Sequence, residues 1–191
     1  MTYETALYLK LLLHAGMVES YREYLDDMLE KEPVLEGILL ELSYEEDDTQ
    51  EAISLLRDYL FDQKIDLDAV AEKLRAKLLD RYSNGKMNQS EVVCALYAMA
   101  ENSDHKTTEP WYSMLMMEEY YCLAVQGQTD TERFNEAFYD FLTDQKLFSE
   151  SYALPKGEMH RIVFRRLEDK QTMTRSGFFL NHVAPYLYLA L

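Results

Sequence analysis

The chain has 191 residues, 48% of them hydrophobic, and carries a formal charge of -16. That length suits one domain, which buries roughly 70% of its unfolded surface without needing a disulfide or a metal, and the composition excludes a disordered chain. Six Gly and four Pro are too few for the turns of a β-sandwich or a doubly wound α/β protein. The expected class is therefore all-α, with helices joined by short polar loops.

Apolar spacing predicts a first helix over 3–15, with Tyr3, Leu7, Leu11, Leu12 and Ala15 on one face and Gly16 as its left-handed stop. Lys10 breaks this apolar run, and the N-terminus lacks a basic start, so a signal peptide is not expected. A second helix, over 18–31, carries Val18, Tyr21, Tyr24, Leu25, Met28 and Leu29 on one side and Glu19, Glu23, Asp26, Asp27 and Glu30 on the other. Pro33 opens a third, with Val34, Leu35, Ile38, Leu39 and Leu42 as its stripe. The acid run Glu45, Glu46, Asp47, Asp48 leads into a fourth helix. There Asp48 is an N-cap, and Glu51 completes a capping-box pattern.

Asp66 or Asp68 caps a fifth helix, which carries Leu67, Val70, Ala71, Leu74 and Leu78 and is ended by Ser83, Asn84 and Gly85. Asn88, with Glu91 three residues on, starts a sixth through Val92, Leu96 and Met99. The segment 110–126 is apolar on nearly all sides and holds the only Trp. Trp111, Met114, Leu115, Tyr121, Cys122 and Val125 recur at helical spacing, and only Glu118 and Glu119 clearly interrupt the girth. Such a helix is expected at the centre of the fold. Thr129 with Glu132 caps the next helix, whose aromatic face is Phe134, Ala137, Phe138, Phe141 and Leu142. Beyond Pro155 the pattern weakens. Met159, Ile162, Val163 and Leu167 fit a helix, although 160–174 also fits a short hairpin.

Helix starts fall at irregular intervals, and no repeat-family signature is present. The expectation is a single-domain irregular bundle of about eight or nine helices, with a short α-solenoid of antiparallel helix pairs as the alternative. Residues 1–151 form an acidic helical core, and 152–191 a more basic segment packed on the same domain.

No phosphate-binding Gly motif, nucleophile elbow, His-Glu-x-x-His or Glu-x-x-His pair occurs, so no catalytic residue, metal or cofactor is expected. The run at 45–48 lacks the alternating spacing of an EF-hand and reads as capping plus solvation. Cys94 and Cys122 read as reduced, buried thiols of a cytoplasmic protein. His14 and His182 flank apolar runs and read as core or rim histidines.

Charge distribution carries the functional expectation. Residues 19–51 contain 13 acidic against 2 basic residues, net -11, whereas 151–191 contain 3 acidic against 6 basic, net +3. The basic cluster Arg161, Arg165, Arg166, Lys170 and Arg175 is a natural ion-pairing face for the acidic half. The acidic majority repels nucleic acid and anionic membranes and attracts a basic protein. The expected function is a non-catalytic interaction or adaptor module, binding a basic partner through Glu23, Asp26, Asp27, Glu30, Glu45, Glu46, Asp47 and Asp48. The alternatives are a bacterial immunity or inhibitor protein that neutralises a basic toxin, and a helical enzyme whose site leaves no local motif.

Overall fold

Amphipathic segments with strong local caps become helices wherever the structure, a computed structural model, describes the chain: residues 1–31, 37–45 and 48–151. Of these residues 73% are helical and none is in a strand, consistent with an all-α single-domain bundle. In order they form α1 (Tyr3–His14), α2 (Val18–Lys31), α3 (Ile38–Tyr44), α4 (Thr49–Tyr59), α5 (Leu67–Ser83), α6 (Gln89–Glu101), α7 (Trp111–Val125), α8 (Thr131–Leu142) and α9 (Phe148–Ser151). The expectations for Pro33 to Leu35, for Glu46 and Asp47, and for 152–191 lie outside the described residues.

Side-chain caps explain most of the helix starts. Thr2, Asp48, Asp66, Asn88 and Asp130 each accept a backbone N–H of the first turn. The reciprocal capping box closes at Asn88 and Glu91. At α4 Asp48 alone makes the cap, and at α8 the cap is Asp130 rather than Thr129. A carboxylate can accept two N–H groups at once, as Asp130 does from Glu132 and Arg133. At the end of α1, Gly16 adopts φ 70°. Its N–H donates to Leu13 O at 3.0 Å and that of Met17 to Leu12 O at 2.9 Å, a paired C-terminal stop that requires a left-handed residue.

The innermost helix is α1, not α7. Every residue from 6 to 13 is buried, because α1 packs against α2, α4, α5 and α6. In an α-solenoid each helix pair touches only its neighbours, so this arrangement is a bundle. The helix expected at the centre, α7, packs on α6, α8 and α9. It buries Trp111, Ser113, Met114, Met117, Tyr120 and Ala124. Leu115, Tyr121 and Cys122 stay half-buried and Val125 is 68% exposed. Among the described residues the neighbours of α7 cover one broad stripe, so its all-round apolar sequence overstates its burial. The two packing centres share α6. Around α7 the core is aromatic, with Phe148 against Tyr120 and Phe134, whose ring centroids lie 5.7 and 5.8 Å away.

Candidate functional site

On α2 the helical period separates two faces. Ser20, Tyr21 and Leu25 are buried, while Glu19, Glu23, Asp26, Asp27 and Glu30 are exposed. Four acidic residues of the expected site, Glu23, Asp26, Asp27 and Glu30, thus share one solvent-facing surface. The remaining four do not join them on this helix. Glu45 is the half-buried C-cap of α3. Asp48 accepts the N–H groups of Gln50 and Glu51, both at 3.0 Å, so its carboxylate is committed to capping α4. Glu46 and Asp47 lie outside the described residues.

The acidic face is partly neutralised by a basic stripe on α5. Lys73, Lys77 and Arg81 are spaced four apart and therefore lie along one face of that helix. Arg81 Nη1 donates to Ser20 Oγ at 2.9 Å, and its Nη2 lies 3.7 Å from Glu19. Lys77 Nζ lies 3.3 Å from Glu23 Oε2. Lys73 Nζ donates to the Tyr24 hydroxyl at 2.5 Å and stands 4.1 and 4.3 Å from the ring centres of Tyr24 and Tyr8. Ascending positions on α5 meet descending positions on α2, so the two helices run antiparallel along this seam. The Lys-x-x-x-Lys-x-x-x-Arg spacing was visible in the sequence. Nothing local distinguished it from an ordinary solvated face.

These contacts sort the acids of α2. Glu19 and Glu23 face bases of α5, and Asp27 pairs with Lys31 one turn on at 2.5 Å. Asp26 and Glu30, four residues apart and exposed, have no ion pair among the described residues. The acids of these pairs are solvent-exposed, so the pairs contribute little, about 0–1 kcal/mol, and compensate the charge without locking it.

A second polar cluster involves the inner helix. Lys10 and His14 are one turn apart on α1. Burial pushes the ammonium of Lys10 below its usual proton affinity; Asp104 opposes that shift and Arg57 adds to it. Burial likewise lowers His14, helped by Lys10 and opposed by Asp104. On α7, Glu118 and Glu119 are half-buried, and the Cys122 thiol donates to Glu118 Oε1 at 3.3 Å. Neither cysteine forms a disulfide, and both are half-buried rather than buried.

Among the described residues no group of three or more His, Cys, Asp or Glu is placed to hold a metal ion, and no helix is long and apolar enough to cross a membrane. No family model matches the chain, and neither the curated proteins nor the solved structures compared with it give a significant match.

Proposed function

We propose that this protein is a non-catalytic, cytoplasmic interaction module that binds a basic protein through the outer face of α2. The observation that carries the reading is the pair Asp26 and Glu30, exposed on adjacent turns without an ion pair among the described residues. They sit beside Glu23 and Asp27, whose ion pairs are solvent-exposed and weak. Clustered like charge costs stability through self-repulsion and raises the encounter rate of an oppositely charged partner.

Asp26→Asn with Glu30→Gln is the decisive variant. With a partner captured from the native cell, it is expected to slow association several-fold, to flatten the salt dependence of the rate, and to keep or slightly raise the melting temperature as self-repulsion is relieved. Glu23→Gln with Asp27→Asn removes two internal pairs as well and is expected to lower the melting temperature slightly. An association rate that ignores both salt and Asp26→Asn/Glu30→Gln would exclude this face as the binding surface.

A further inference from the structure

Positions 19, 23, 26 and 30 of α2 are spaced by four, three and four residues, which puts Glu19, Glu23, Asp26 and Glu30 on one stripe of the helix. All four are exposed, but they are not equivalent. Asp26 and Glu30 have no ion pair among the described residues. Glu19 and Glu23 face Arg81 and Lys77 of α5 at 3.7 and 3.3 Å. In these pairs the acid side chains are 83% and 60% exposed, and the bases 15% and 27%. The bases therefore reach the acids from the seam, while the acids stay open to a second cation from solvent.

The seating of α2 has other supports. Its buried residues are Ser20, Tyr21 and Leu25, and the helix packs on α1. Farther along the seam, Lys73 Nζ stands 4.1 and 4.3 Å from the ring centres of Tyr24 and Tyr8 and donates to the Tyr24 hydroxyl. Arg81 keeps a second acceptor in Ser20 Oγ, 2.9 Å from its Nη1. Glu19 and Glu23 can thus change partners while the helix stays in place.

We infer that the basic stripe of α5 is an autoinhibitory contact: Lys77 and Arg81 occupy Glu23 and Glu19 in the free protein, and a basic protein partner must take those two acids from them. This rests on the reading of the outer face of α2 as the binding surface. A partner first meets Asp26 and Glu30, which no base of the described chain holds. Ion pairs with an exposed acid are weak, because water and salt compete for the charges, so Glu19 and Glu23 exchange readily once a second cation is near. An isolated cation gains only Asp26 or Glu30. A partner whose cations are spread over about 16.5 Å, the helical rise from position 19 to position 30, engages the whole stripe. The internal pairs thus favour a partner with several bases in a row over singly charged competitors.

The test is calorimetric titration of the intact chain with a short oligolysine peptide at low salt. Lys77→Gln with Arg81→Gln is expected to bind the peptide several-fold tighter than wild type. Lys64→Gln with Lys146→Gln removes the same charge from exposed loop positions and is expected to change binding clearly less. The deciding measurement is a double-mutant cycle. Glu19→Gln with Glu23→Gln should weaken binding only slightly in wild type and several-fold in the Lys77→Gln/Arg81→Gln background. Bases that acted through their field alone would leave the worth of the acids unchanged, so additive effects overturn the inference. Should Lys77→Gln/Arg81→Gln fail to fold, the cycle of Lys77→Gln with Glu23→Gln carries the same test on the more exposed pair. Binding that is lost in Asp26→Asn/Glu30→Gln yet additive in the cycle keeps the binding face and rejects the autoinhibition. Binding indifferent to Asp26→Asn/Glu30→Gln rejects both.

Discussion

Arg75 Nη2 lies 2.6 Å from Asp144 Oδ1. Arg75 is 7% exposed and sits over the Phe141 ring, while Asp144 stands in the turn after α8 at φ 58°. That turn has the same paired stop as the end of α1. The Asp144 N–H donates to Phe141 O at 3.2 Å, and the Gln145 N–H to Asp140 O at 2.9 Å. An aspartate occupies the left-handed position that glycine fills there, and left-handed backbone is costly for most side chains. The ion pair accounts for the choice, because it gives a buried guanidinium its carboxylate and ties α5 to α8.

Replacing Asp144 by Asn should therefore destabilise the protein by about 1–3 kcal/mol, the range for a lost charged hydrogen bond. Asn tolerates the same backbone, so the change isolates the charge. Urea unfolding measures it. A loss near zero would show that solvent on the exposed side of Asp144 already screens the pair.

Burial at the two packing centres should separate two leucines. Leu9 on α1 is 0% exposed, so Leu9→Ala is expected to cost about 2–5 kcal/mol. Leu115, half-buried on α7, should lose clearly less on the same substitution. Equal losses in denaturant titrations would mean that α7 is enclosed as fully as α1.

The capping box of α6 gives a local test. Asn88 accepts the Glu91 N–H at 3.0 Å, and Glu91 Oε2 accepts the Asn88 N–H at 2.7 Å. Asn88→Ala should cost about 0.5–2 kcal/mol. Thermal unfolding would show it as a lower melting temperature with helix content preserved in circular dichroism.

Tyr8 sets an alkaline limit on stability. Burial, with smaller contributions from Tyr24 and Glu23, pushes its hydroxyl from 10.0 up to about 12. Between those values the unfolded state ionises and the folded state does not. The folded state therefore binds more protons, and stability falls as pH rises. The Tyr8 contribution is intact below pH 10 and lost by pH 12. Tyr8→Phe should remove one late-titrating phenol from the absorbance at 295 nm and make the stability curve flatter over that interval.

Local chemistry decided much of this protein in advance. The period of apolar residues on α2 predicts a helix over 18–31, and the helix found is Val18–Lys31. Asp48 and Asn88 announce their helix starts, because a cap acts within one turn and needs no distant partner. The all-α class follows from the same repetition together with the shortage of Gly and Pro.

Tertiary packing decided which helix is innermost. The segments of α1 and α7 both read as apolar, yet only α1 is enclosed on every side, because burial depends on which neighbours arrive and from where. Packing also chose α5 as the partner of the α2 acids. The bases at 73, 77 and 81 became a counter-stripe only when the two helices ran antiparallel. It placed Asp104 within the field of Lys10 and His14 by laying α6 against α1. Periodicity records how each residue faces its own helix axis. Charge pairing and desolvation depend on distances across the fold, and only the closed chain fixes those.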